Sequence, residues 1–330
     1  MPKVDIVIPC YNYGRFLENC LCSVLEQSIQ DIRVRIIDDA SSDDSLAVAE
    51  RLAGRDPRVS VVSHPRNRGH IATYNEGIDW ASAEYFLILS ADDMLVPGAL
   101  ERAARVMDEN PDIVFTYGRH IGWYDELPMP KVGPQQGVAW ARQPDLIADL
   151  CEYGGRPHPE IGLGTPTSIV RTATQKTIGG YSATLPHTAD LEMWMRFAAR
   201  GAVARIDSIQ AIYRKHRSNM SKGYYDRELP DLQQRKEAFD AFFREYGDHI
   251  PEGRKLHERA IRRLAEKAFW GSVVQLCRGR PASCRRLLRF SFDLDPTLRR
   301  RPPLQRGPSV FADLVSRLVG RGRRVLLRSR

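Results

Sequence analysis

Residues 85–96 read YFLILSADDMLV. The opening apolar run suits a buried strand and is too short for a buried helix. It stops at Ser90-Ala91 and leaves two carboxylates, Asp92 and Asp93, at its carboxyl end. The same layout recurs upstream. Val34–Asp38 runs into Asp38-Asp39-Ala40-Ser41, and Val4–Pro9 runs into Pro9-Cys10-Tyr11-Asn12. Val59–His64 and Ile113–Gly118 complete a set of five such runs, spaced about one βαβ repeat apart.

Helical patterns fill the intervals at Phe16–Gln27, Ser45–Arg55, Ile71–Ala81 and Pro97–Glu109. Ser42 or Asp43 is a start signal for the second, and Pro97 stands in the first turn of the fourth. The alternation predicts an α/β fold, a mostly parallel sheet flanked by helices. Ligands of such sheets gather at the carboxyl ends of the strands. From about 119 to 165 the periodicity fades into Gly, Pro and aromatics (GWYDELPMPKVGPQQG, 122–137), which reads as a long functional or mobile loop. Order returns at Thr165–Thr172, followed by a Gly-Gly turn at 179–180, a helix over Leu191–Arg200 and a strand over Ala202–Arg214. After Pro230 the chain reads as mainly helical.

Composition narrows the class. The 330 residues are 42% hydrophobic and 27% charged, and no stretch approaches the roughly 18 consecutive apolar residues of a membrane-spanning helix. The N-terminus lacks a signal-peptide layout, so a cytoplasmic location is expected. The six cysteines (Cys10, Cys20, Cys22, Cys151, Cys277, Cys284) form no CxxC pair and no zinc-like spacing, and are expected to be free thiols. The net charge of +8 is uneven: residues 271–330 carry 15 Arg and no Lys against 3 Asp and no Glu, so the remainder is slightly acidic. A nucleic-acid partner, which calls for a basic surface on the folded module, is not expected.

Carboxylates at the ends of two parallel strands, beside an aromatic ring from a third, suit a nucleotide held through a divalent cation. Mg²⁺ prefers oxygen ligands and commonly takes one or two carboxylates together with substrate phosphates. Each Asp pair alone also fits ordinary turn chemistry; three aligned strand ends favour a site.

Residues 4–118 resemble the nucleotide-binding half of glycosyltransferase family 2. The matching segments are VIPCYNYGRFLENCLCSVLEQS, RIIDDASSDDS, HPRNRGHIATYNEGI and LSADDMLVPGAL, in that order and spacing. The resemblance implies a GT-A fold, a Rossmann-like sheet, and inverting transfer from a nucleotide-sugar donor. Pro9 and Tyr11 would line the base pocket, Asp39 would accept a hydrogen bond from the base, and Arg68 would lie near base or phosphates. Asp92 would touch the ribose, and Asp93 would bind Mn²⁺ or Mg²⁺. Cys10 replaces a more usual hydroxyl residue, and Ala83 stands where the family often has Gly.

The resemblance extends to about residue 221. His187-Thr188-Ala189-Asp190-Leu191-Glu192-Met193-Trp194 is similar to the family's acidic motif ahead of a Trp-bearing helix, with Asp190 in the place of the general base. A carboxylate within reach of the acceptor hydroxyl can take its proton; an N-cap role for Asp190 competes with this. Glu192 is a weaker candidate, and Trp194 suits an acceptor wall or the core equally. Tyr213-Arg214-Lys215-His216 resembles a downstream basic motif. There His216 would hold the metal or the diphosphate, and Arg214 or Lys215 would offset charge on the leaving group.

The expected organisation is a nucleotide-sugar-binding half (1–118), an acceptor-binding and catalytic half of the same domain (119–225), and a C-terminal helical extension with a basic tail (226–330). In 311–330, Phe311, Leu314, Val315, Leu318, Val319, Val325 and Leu326 share one helical face opposite Arg317, Arg321, Arg324 and Arg328. That layout suits anionic lipid at the inner face of the cell membrane, or a helix docked on the protein itself. The expected partners are a nucleotide-sugar donor, UDP first with GDP and dTDP open, and a glycan or lipid-linked acceptor in surface polysaccharide assembly. Two other functions stay open. A sugar nucleotidyltransferase would need a Gly-rich triphosphate loop that PCYNYGRF does not provide. A non-catalytic nucleotide-sugar sensor would have no need of both Asp93 and Asp190. A dinucleotide-dependent dehydrogenase is disfavoured, because no GxGxxG follows the first strand.

Overall fold

A computed structural model describes residues 2–133, 139–155, 163–220 and 228–303. Its first half alternates as the sequence predicts: β1 (Val4–Cys10), α1 (Gly14–Leu25), β2 (Ile32–Asp38), α2 (Ser45–Ala53), β3 (Val59–Ser63), α3 (His70–Trp80), β4 (Tyr85–Ile88), β5 (Met94–Leu95), α4 (Ala99–Glu109) and β6 (Ile113–Tyr124). The second half contains β7 (Trp140–Arg142), α5 (Leu146–Glu152), β8 (Ile169–Arg171), α6 (Thr172–Ile178), α7 (Ala189–Ala198) and β9 (Ala202–Lys215). Three further helices follow: α8 (Glu228–Tyr246), α9 (Gly253–Cys277) and α10 (Pro281–Leu294).

One sheet runs through both halves in the order β3-β2-β1-β4-β8-β6-β9-β5, with β7 on β9. The long ladders, β1 with β2 and β4, β2 with β3, and β6 with β9, are parallel. The short ladders of β8, β5 and β7 are antiparallel. The fifth run therefore does not extend the parallel array directly: β8 is inserted between β4 and β6.

Three details differ from the sequence reading. The segment 119–165 is not all loop, since β6 continues to Tyr124 and α5 forms at Leu146–Glu152. α6 has three threonines in seven residues, TATQKTI, and so has weak intrinsic helix preference; packing forms it. Asp190 is not an N-cap, because α7 begins at Ala189 with Thr188 in the cap position. The tail 311–330 lies outside the described residues.

Strand residues alternate between two cores, as a sheet covered on both faces requires. Ile6, Ile8, Val34 and Ile36 pack with α1 and α4. Val7, Ile37, Phe86 and Phe115 face the other layer, where α3, α7 and the C-terminal helices meet around Phe197, Phe239, Phe242 and Leu264. Among the described residues no helix is long and apolar enough to cross a membrane. The six cysteines are free thiols, and burial pushes that of Cys10 up to about 11.

Candidate active site

The carboxyl ends of β1 and β2 are locked together by two residues in the left-handed region, Asn12 (φ 58°) and Ala40 (φ 58°). Asn12 Oδ1 accepts from the Ser42 backbone N–H at 2.7 Å, and Ser41 Oγ accepts from the Asn12 N–H at 2.9 Å. Asn tolerates this conformation, whereas Ala adopts it at a steric cost.

Asp39, 4% exposed, is the hub of the next loop. Its Oδ1 accepts from His64 Nδ1 and from the Arg68 backbone N–H, both at 2.7 Å, and its Oδ2 accepts from the Gly69 N–H at 2.8 Å. His64 Nε2 lies 3.0 Å from Glu76 Oε2, which also accepts from Arg68 Nη1 at 2.6 Å. The carboxylate thus shapes the Asn67-Arg68-Gly69 turn, with Oδ2 the less occupied of its two oxygens. Tyr11 is 48% exposed and Pro9 half-buried on the neighbouring strand end.

Beyond β4, Asp92 and Asp93 are both buried. Asp92 Oδ2 accepts from Asn219 Nδ2 at 3.1 Å and from His216 Nε2 at 3.0 Å. His216 Nδ1 accepts from the Ser218 N–H, which leaves the ring proton on Nε2. Asp93 Oδ1 accepts from the Arg214 N–H at 3.0 Å, while its Oδ2 carries no hydrogen bond among the described residues. Burial, and then the Asp92 charge, drives the Asp93 carboxyl well above the ordinary range.

Arg214 is turned inward. Its Nε donates to the Asp92 carbonyl at 2.9 Å, its Nη1 donates to Asp125 at 2.9 Å, and its guanidinium lies between the rings of Phe16 and Trp123. It fixes the aspartate turn from behind.

A hard cation fits this donor set through Asp93, whose free oxygen matches the demand of Mg²⁺ or Mn²⁺ for oxygen ligands. His216 fits only if Nε2 leaves Asp92, since both ring nitrogens are engaged. Among the described residues no three His, Cys, Asp or Glu side chains form a ready cluster, so substrate phosphates would have to complete the coordination.

Asp190 stands in the first turn of α7, where its Oδ1 accepts from the Leu191 N–H at 2.8 Å and its Oδ2 lies 3.4 Å from Thr165 Oγ1. Burial raises its carboxyl; the Leu191 N–H, Arg235 and His187 oppose that rise. Glu192 pairs with Arg196 at 2.9 Å, and Trp194 is 7% exposed in the core.

The charges of the strand-end aspartates and of Asp190 all reach α3. Tyr74 feels the charges of Asp190, Asp92 and Asp93, and His70, one turn earlier, feels those of Asp190 and Asp39. His70 Nε2 donates to the Pro186 carbonyl at 2.8 Å, joining α3 to the loop ahead of α7. A cleft of about 750 Å³ opens between Arg68, Glu76, Ala183 and Pro186, and neither Asp92 nor Asp93 lines it. The sequence reading passed over His64, Glu76, His70, Tyr74, Asp125 and Asn219. The first four sit inside the quoted HPRNRGHIATYNEGI segment, but nothing in their spacing marks them.

The model of glycosyl transferase family 2 matches residues 5–152, the segment that holds Asp39, Arg68, Asp92 and Asp93. The chain carries a glycosyltransferase family 2 domain. A glycosyltransferase of Haemophilus influenzae is 25% identical to it over 228 residues, 68% of either chain. Two solved structures share the fold of this chain. S. aureus TarS 1–349 in complex with UDP-GlcNAc aligns with a TM-score of 0.60 at 17% identity, covering 95% of this chain and 81% of that one. The mannosyltransferase PcManGT of Pyrobaculum calidifontis, in complex with GDP-Man and Mn²⁺, aligns with a TM-score of 0.55 at 15% identity, covering 96% and 81%.

Proposed function

We propose that the protein is an inverting, metal-dependent glycosyltransferase that moves a sugar from a UDP-sugar to a hydroxyl of a glycan or lipid-linked acceptor, in the assembly of surface polysaccharide. One observation carries the reading: the charges of Asp92 and Asp93 at the end of β4 and of Asp190 at the start of α7 all act on the Tyr74 hydroxyl. That common field supports a donor site and a base on the same side of α3.

In this reading Pro9 and Tyr11 flank the base, Asp39 and the 67–69 turn hold its edge, and Arg68 reaches the base or phosphates. Asp92 binds the ribose. Asp190 takes the proton of the acceptor hydroxyl as that oxygen attacks the anomeric carbon, and the bond to the nucleoside diphosphate breaks on the opposite side. Arg214, fixed beneath the aspartates, adds positive charge under the departing diphosphate. A divalent cation held by Asp93, joined by His216 once its imidazole turns, would supply further positive charge there. The family 2 domain and the fold shared with TarS and PcManGT support the class. The reading includes a cytoplasmic site of action at the inner membrane face, with residues 311–330 on anionic lipid.

The test is a panel of UDP-, GDP- and dTDP-sugars, scored by thermal shift and by donor hydrolysis with and without Mn²⁺. Stabilisation by a UDP-sugar that depends on Mn²⁺, followed by slow hydrolysis, is expected. Binding without any turnover would favour a sensor.

A further inference from the structure

The surroundings of Asp190 are built from a helix that lies beyond the family-matched segment. α8 crosses the start of α7 and grips it. Thr188 Oγ1 donates to the Gln234 carbonyl at 3.0 Å, and His187 Nε2 donates to Asp231 Oδ1 at 2.7 Å. Asp231 is 1% exposed and also receives Nε and Nη2 of Arg235 at 3.0 and 2.9 Å. Arg235, itself buried, extends Nη1 to the Gly155 carbonyl at 2.5 Å. Gly155 has φ +73°, and a Cβ there would stand 2.5 Å from Leu191 Cδ2, so its backbone presses directly on the residue after Asp190. The chain is thus held from α8 on both sides of the carboxylate, at His187 and Thr188 directly and at Leu191 through Gly155.

A buried Asp–Arg–His chain costs more to assemble than apolar packing of the same volume. Two turns further along, α8 does use apolar packing, with Phe239 and Phe242. The polar chain is confined to the stretch opposite Asp190. It also acts by charge: burial raises the Asp190 carboxyl, whereas Arg235 and His187 pull it back. Among the described residues, His70 and Tyr74 on α3 and Tyr181 also feel the Asp190 charge.

We propose that Asp231 and Arg235 are positioning residues for glycosyl transfer, fixing His187 and the first turn of α7 so that the Asp190 carboxylate meets the acceptor hydroxyl. α8 is on this account part of the active site. The inference rests on the reading of Asp190 as base.

The experiment compares Asp190→Asn, Arg235→Lys, Arg235→Gln and the double variant Asp231→Asn/Arg235→Gln in the full chain. Donor affinity and the pH profile of kcat are the readouts. The double variant removes both buried charges together, so it remains informative if Arg235→Gln fails to fold. Donor affinity is expected to be unchanged throughout. With the guanidinium gone, Asp190 holds its proton to higher pH, so the acid limb of kcat moves upward and kcat falls several-fold more in acid than in alkali. Arg235→Lys keeps the charge and should keep the limb. An inactive Asp190→Asn together with unmoved limbs in both Gln variants overturns the positioning role alone. Near-normal turnover in Asp190→Asn overturns the base reading beneath it.

Discussion

His216 Nε2 and Asp92 Oδ2 lie 3.0 Å apart across 124 residues of sequence, joining the end of β9 to the end of β4. The Asp92 carboxylate is therefore aimed by the second half of the chain. Removing the imidazole leaves Asn219 as the other side-chain partner of that oxygen. His216→Ala should cost about 1–3 kcal/mol of stability, the penalty for a buried group losing a partner, and should weaken nucleotide diphosphate binding. His216→Gln, whose amide can replace the Nε2 donor, should recover much of both. Thermal melts and nucleotide titration check this; an Ala variant that binds as wild type would show the contact to be idle.

Asp93→Ala should lose at least about tenfold in Mn²⁺-dependent nucleotide affinity, a change of roughly 1.4 kcal/mol. Wild type stripped with EDTA should bind no better than the variant. Retention of a Mn²⁺ effect in the Ala variant, measured by calorimetry, would move the cation elsewhere.

Asp190 carries a stability cost that can be measured. Burial raises its folded-state carboxyl above the ordinary range. The folded protein therefore holds this proton more tightly than the unfolded chain does. The stability this contributes is full below the unfolded value and is lost as pH rises through the folded one. Asp190→Asn should accordingly melt higher than wild type at neutral pH, with the gap closing in acid. It should also lose roughly 10²–10⁴-fold in kcat, the usual worth of a general base. A Tm gap that does not change with pH would remove burial as the cause.

Ala40→Gly should stabilise the fold. Ala40 has φ 58° between two interlocked loops, and a left-handed L-residue costs roughly 1–2 kcal/mol. Part of that gain is offset by the greater freedom of glycine in the unfolded chain, so a net rise of about 0.5–1 kcal/mol in chemical denaturation is expected.

The parallel half of the sheet was legible because β1–β4 are short apolar runs at regular spacing, each bounded by a turn. β8 was not, since three residues cannot show a period, and its insertion beside β4 is decided by burial of Ile169 and Val170. The aspartates could be read because they stand at strand ends, where local sequence fixes position. Their partners could not. Asp125 under Arg214, Asn219 on Asp92 and Arg235 near Asp190 are brought in by tertiary packing from distant segments. The loop reading of 119–165 failed where β6 continues past its bulge with exposed residues at Arg119 and His120, which erase the alternation.

That irregularity sets the phase of the strand beside it. Residues Ile206–Ala211 of β9 stand opposite only Gly118–His120 of β6, after which the two run in step to Lys215. Side chains alternate along a strand, so deleting one residue from 207–210 would exchange the faces of everything downstream. The backbone N–H that Arg214 gives Asp93 and the imidazole that His216 gives Asp92 would both point the wrong way. A single-codon deletion some way from Asp92 and Asp93 should then silence the protein as thoroughly as losing one of them.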